Sequence, residues 1–177
     1  GSAFAIVSAG FVFGLASPGP RASAAEPAPA PQDGKFGTIK GRLVFSGAAP
    51  ALPKIAGADT QEFCKDQKLV DRALDVDPKT KGVAHGFAYL VKPSGKNAEA
   101  EKALLKAHAH VDIDNKNCEF VPRSTALMKG QLVDFTSSDP VGHNSHYTGF
   151  TNNKNVALPP KGKTTEKLVP EARPIVL

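Results

Sequence analysis

The stretch VDIDNKNCEFVPRSTALMKGQLVDF, Val111 to Phe135, decides the fold class. Val111 and Ile113 alternate with Asp112 and Asp114, a two-residue period that belongs to a half-buried strand. Val121 to Phe135 then reads as two strands around Met128-Lys129-Gly130-Gln131, a hairpin turn.

The same rhythm recurs on the N-terminal side. In FGTIKGRLVFS, Phe36 to Ser46, the residues Ile39, Gly41, Leu43 and Phe45 share one face, with Lys40 and Arg42 on the other. Gly47 to Pro53 is a turn-rich break, Leu69 to Val76 alternates more weakly before the Asp77-Pro78 turn, and Val83 to Val91 is rich in β-formers. Asn97 to Ala107 departs from this rhythm. Asn97 suits an N-cap, Glu99 and Glu101 suit a helix N-terminus, and Ala100, Ala103, Leu104 and Ala107 share a helical face. On the C-terminal side, Asn152 to Lys163 reads as a loop with Pro159-Pro160, and Thr164 to Val169 and Arg173 to Leu177 as the last two strands. The pattern predicts an all-β, antiparallel β-sandwich of about seven short strands, with one short inserted helix packed across the sheet.

The first residues carry a different signal. Ala3 to Ala16 is apolar and uncharged, yet shorter than the ~20 residues a membrane-spanning helix needs. Ala22-Ser23-Ala24 is an A-x-A cleavage pattern, so residues 1–24 read as a secretory signal peptide cut after Ala24. No Met and no basic residue precede Ala3, and the leader is expected to lack its first residues. Residues 25–35 form a Pro/Ala-rich linker, and residues 36–177 form the folded domain. This organisation predicts a periplasmic or secreted protein with no stable membrane span after signal removal.

The formal net charge of +5 is modest, falls by one with Arg21 of the leader, and is scattered along the chain. With no basic stripe interleaved with aromatics, nucleic acid is not an expected partner. The chain has two cysteines, Cys64 and Cys118. In an oxidising compartment the simplest expectation is one disulfide between them, worth roughly 3–4 kcal/mol by loop-closure entropy. Free thiols, or one thiolate ligand, are the alternatives. No G-x-S-x-G, P-loop, H-E-x-x-H or Rossmann glycine pattern occurs, so the chain is not expected to be an enzyme.

Five histidines remain to be placed. His85 is expected as a partly buried strand residue. His108 and His110 fall on one face of an alternating stretch with Asp112 and Asp114 after them, a row that can bind a divalent metal but suits a solvated outer face better. His143 and His146 stand apart. They lie in SSDPVGHNSHYTGFTNN, Ser137 to Asn153, a polar stretch with turn residues Asp139, Pro140 and Gly142 and with Asn144 between the two rings. Such a loop on a rigid scaffold can hold a metal, and it can equally be solvated and idle.

A resemblance bears on that choice. Asn115, Cys118, Phe120 and Pro122 form N-x-x-C-x-F-x-P; Gly130-Gln131, Asp139 and His143-Asn144-Ser145-His146 follow; and Gly37 to Gly47 reads G-x-I-x-G-x-x-x-F-x-G. The stretch from Gly37 to Leu177 resembles the plastocyanin-like, methylamine-utilisation-like cupredoxins of the bacterial periplasm. The resemblance implies a Greek-key β-sandwich, copper as cofactor and electron transfer to a redox partner protein. It makes His143 the first copper ligand, His146 a weaker candidate, and Asn144 a hydrogen-bonding support that ties the loops together. Cys64 and Cys118 would be structural. A thiolate, two imidazoles and a weak axial Met suit a site that changes little between Cu(I) and Cu(II). In this family the other ligands come from a C-x-x-H-x-x-M loop, and no Cys, His or Met follows His146 here. The expectation is that the copper site is completed beyond Leu177 in the intact protein, and that this chain alone does not hold copper tightly. A set drawn from His110, Cys118 and His143 with Met128 fits the required short ligand loop poorly. The competing reading is a copper-free β-sandwich that binds a partner at the cell envelope, with no Trp to supply a sugar-stacking platform.

Overall fold

A computed structural model describes residues 36–37, 39–55, 61–91 and 93–177. The leader and linker expected over residues 1–35 lie outside the described residues. The chain divides into two units. In the smaller, Ser8–Gly41, the described residues form no helix or strand, and Ile39 is 79% exposed. All described helices and strands belong to Arg42–Leu177.

That unit is β-rich. It contains α1 (Glu62–Lys65), α2 (Ala98–Ala107), β1 (His110–Lys116), β2 (Glu119–Val121), β3 (Leu132–Ser137), β4 (His143–Thr148), β5 (Asn153–Leu158) and β6 (Lys163–Glu166). One sheet has the order β2-β1-β3-β6 and the other pairs β4 with β5. The two sheets share one core: Ile113, Val133 and Phe135 meet Tyr147, Val156 and Leu158. The Phe135 and Tyr147 rings stack with centroids 5.5 Å apart. Among the described residues no helix is long and apolar enough to cross a membrane.

The strand at Val111–Ile113 is found as β1, and the helix is found with Asn97 accepting a hydrogen bond from the Ala100 N–H at 3.0 Å. The helix does not pack across the sheet; none of its residues is buried. Gln131 ties its end to the following turn by donating to the His108 carbonyl at 2.7 Å.

Pairing corrects the rest. The sheet is mixed rather than antiparallel, because β1 and β3 run parallel, with Val111 beside Val133 and Ile113 beside Phe135. The Met128–Gln131 turn exists, with the Gln131 N–H donating to the Met128 carbonyl at 3.1 Å, but it does not close a hairpin. The reason lies earlier in the chain. Asn117 and Cys118 both have positive φ, at 53° and 60°, and form a two-residue loop between the paired Lys116 and Glu119. That backbone folds β2 straight back onto β1 and occupies one edge. Val133 and Phe135 then reach the core only from the other edge of β1, after the long crossover that a parallel pair requires.

The expected strands at Phe36–Ser46, Leu69–Val76 and Val83–Val91 reduce to isolated pairs: Val44 with Gly82, Lys54 with Val70, and Val76 with Val83. Alternation supplies a face, but a strand also needs a hydrogen-bonded neighbour. Asp71 instead bonds the Ala73 N–H, and His85 turns the chain at φ 59°. His85 is exposed, not partly buried. Of Arg173–Leu177, only Val176 pairs, with Thr148.

Candidate functional site

His143 begins a strand rather than sitting in a loop. Along β4, His143, Ser145 and Tyr147 turn inward while Asn144, His146 and Thr148 are exposed. The strand escaped the apolar pattern because one of its buried positions is Ser145, which is fully enclosed. Its partner β5 lies within the expected Asn152–Lys163 loop and has only Val156 and Leu158 buried. The consequence for the site is direct. Neighbours three apart on a strand lie on opposite faces, so His143 and His146 do not converge on one ion. Asn144 is exposed and its side chain makes no hydrogen bond among the described residues, so it does not tie loops together there.

The group that supports His143 is Asp139. This residue follows β3 and is 2% exposed. Its Oδ1 accepts from the Asn117 N–H at 2.7 Å, and its Oδ2 from the Cys118 N–H at 2.9 Å. His143 Nε2 lies 2.8 Å from the same Oδ2. Burial alone would push this carboxyl up. The Cys118 and Asn117 N–H groups and the His143 ring outweigh burial and hold it below the ordinary aspartate value. Asp139 is therefore ionised at neutral pH and has only acceptors to offer. Nε2 must carry the proton in that hydrogen bond, which leaves the Nδ1 lone pair of a neutral ring free for a ligand. The available sequence signal was an Asp four residues before His143, inside the Asp139-Pro140 turn.

The carboxylate also explains an unusual turn. Cys118 occupies a left-handed position that costs a residue with a side chain about 1–2 kcal/mol. Asp139 binds both N–H groups of the turn, and a disulfide to Cys64, with Cα atoms 5.7 Å apart, holds the side chain. Cys118, Asp139 and His143 thus present one donor atom each within 4.8 Å of one another, and Cys118 Sγ is bonded to Cys64. Behind them lies a polar end of the core. Asn115 donates to the Thr136 carbonyl at 3.0 Å and to Ser145 Oγ at 3.4 Å, while Ser137 Oγ has no partner among the described residues.

Among the described residues the other histidine row does not gather into a group of metal donors. His108 is the C-cap of α2, off the strand. His110 Nδ1 lies 2.8 Å from Asp134, whose carboxylate also accepts from Lys163 and Thr165. A lysine already satisfies that carboxylate. His110 begins β1 and Lys116 ends it, so His110 stands about 20 Å along the strand from the Asn117-Cys118 turn.

A second polar anchor holds the β4–β5 loop. The Glu171 carboxylate accepts from the Phe150, Thr151 and Asn152 N–H groups and from Asn152 Nδ2. The Asn152 N–H leads, burial opposes, and the remaining donors bring the carboxyl down to about 2. Phe150 stands on this fixed loop with its side chain 97% exposed.

Comparison with protein-family models, with curated proteins and with solved structures finds no match to this chain.

Proposed function

We propose that this chain is an exported, cupredoxin-like copper module serving electron transfer, with His143 as one copper ligand. One observation carries the reading: Asp139, buried and ionised, fixes the His143 ring through Nε2 and leaves Nδ1 for a metal. A carboxylate on the far nitrogen is the usual support of a metal-binding imidazole, because it sets the tautomer and the ring orientation. The Greek-key form of the sandwich, copper as the metal and a redox protein as partner rest on the sequence resemblance. The disulfide and the A-x-A site favour a periplasmic or secreted location.

The residues fit one ligand of such a site. His143 supplies an imidazole, Cys118 is held in the disulfide, and His146 faces the other way. When bound, copper would supply a one-electron couple. The chain's own part is to hold the ring still: the β1–β2 turn, Asp139 and the start of β4 form one hydrogen-bonded unit. By the resemblance, the thiolate, second imidazole and thioether of such a site would belong to a C-x-x-H-x-x-M loop, a motif not found among the described residues.

Cu(II) titration of the protein as encoded, followed by electron paramagnetic resonance, tests this reading. His143→Ala should lose the bound copper and His146→Ala should keep it. Equal binding by both variants and the parent would overturn the assignment.

A copper-free interaction module is the second reading, and Phe150 favours it. A loop held by the Glu171 hydrogen bonds and displaying a nearly fully exposed Phe offers an aromatic contact to a partner. In that case the melting temperature is the same with copper and with chelator, whereas a bound metal raises it.

A further inference from the structure

We infer that reduction of the Cys64–Cys118 disulfide unmasks a second metal site, made of Cys118 Sγ, Asp139 and His143, that takes a thiolate-accepting divalent ion such as zinc. It goes beyond the copper reading, which uses Nδ1 of the same ring in the disulfide-bonded protein.

The three donors are already gathered within 4.8 Å. His143 Nε2 and Asp139 Oδ2 are 2.8 Å apart, so they must separate by about 0.6 Å to reach the roughly 3.4 Å that two such ligands span on a tetrahedral ion. What the oxidised protein lacks is the thiolate, since a disulfide sulfur carries no charge. The two halves of the bridge are held unequally. Cys118 is fixed by the β1–β2 pairing and by its N–H on Asp139, and both survive reduction. Cys64 sits on α1, a four-residue helix with no buried residue. Reduction therefore releases Cys64 and leaves Cys118 in place.

Charge supports the choice of ion. A thiolate beside an ionised carboxylate puts two negative charges in one half-buried place, and a divalent cation compensates them. A Cys, Asp and His set suits zinc, and three protein ligands leave a fourth position open. Both cysteines are partly exposed, so an external dithiol can reach the bridge. The dithiol gives two electrons and two protons to the protein sulfurs and becomes a cyclic disulfide. Metal binding then displaces the Cys118 thiol proton to solvent, while the His143 ring stays neutral by exchanging its Nε2 proton for one on Nδ1.

Cys64→Ser tests this by freeing Cys118 without a reductant. With Co(II) as the probe, C64S should show a near-ultraviolet thiolate-to-cobalt band and bind at least 10–100-fold more tightly than C64S/C118S, the loss that even outlying partners of a metal site cause. The oxidised parent should show no such band. A folded C64S without the band, or with the affinity of the double variant, overturns the site. If C64S does not fold, the parent chain is reduced with a phosphine and alkylated with and without Zn(II). Zinc should slow modification of Cys118 at least tenfold and leave Cys64 unchanged, and His143→Ala should remove the protection. Equal protection of both cysteines, or of neither, overturns the site. Copper binding by the oxidised protein does not depend on the Cys118 thiol, so either reading can fail alone.

Discussion

Replacing Asp139 by Ala probes the bond set that organises the site. The carboxylate serves three donors: the Asn117 N–H, the Cys118 N–H and the His143 ring. Asn117 is exposed, and its N–H finds water when the carboxylate is gone. The Cys118 N–H and the His143 ring, 14% exposed, do so less easily. An orphaned buried donor costs about 1–3 kcal/mol, so two of them predict a loss of about 3 kcal/mol. With a urea dependence of about 1–3 kcal/mol per molar, the unfolding midpoint should fall by about 1–3 M. The pH dependence gives an independent check. The folded-state value of Asp139 is depressed, so its contribution is present above the unfolded value of about 3.9 and is lost as pH falls through the lower folded value. The gap between parent and D139A should be full at pH 7 and shrink below about pH 4. Equilibrium urea unfolding followed by circular dichroism at pH 7 and pH 3 measures both. A D139A variant within 0.5 kcal/mol of the parent at pH 7, a threshold of roughly the size of an ordinary surface change, would refute the reasoning.

Further outcomes follow from other residues. Converting Cys64 and Cys118 together to Ser should cost about 4 kcal/mol, because the bridge closes a separation of 54 residues; a calorimetric loss under 1 kcal/mol, roughly a quarter of that, would contradict the loop-closure account. Glu171→Gln should speed hydrogen exchange at the Phe150, Thr151 and Asn152 amides, and in the parent these amides should lose protection as pH falls from 4.5 toward about 2. Protection unchanged in E171Q would remove the carboxylate as the loop's anchor. Phe135→Ala should cost about 3–5 kcal/mol, since it empties the centre of the core and removes the stack on Tyr147; thermal unfolding measures the loss, and a fall of less than about 1 kcal/mol would show that this core is not shared by the two sheets.

The sequence by itself determined the features that depend on neighbours along the chain. Asn97 and the glutamates after it fix the start of α2, the Val111–Ile113 alternation fixes β1, and a chain with two cysteines has one possible internal pairing. Period-two alternation also announced three strands that have almost no partner, at residues 36–46, 69–76 and 83–91, because a face is a local property and a hydrogen-bonded neighbour is not. It missed β4, since one of its two buried positions is Ser145 and the His143 that opens the strand is polar and half-buried. Only the tertiary structure decided the site. Sequence proximity joined His143 to Asn144 and His146, and strand geometry sends those two outward. What His143 meets instead is Asp139, fixed by a turn more than twenty positions earlier that doubles β2 back onto β1. Two left-handed residues, Asn117 and Cys118, set that path, and only a folded chain can place their N–H groups on the carboxylate that orients the ring.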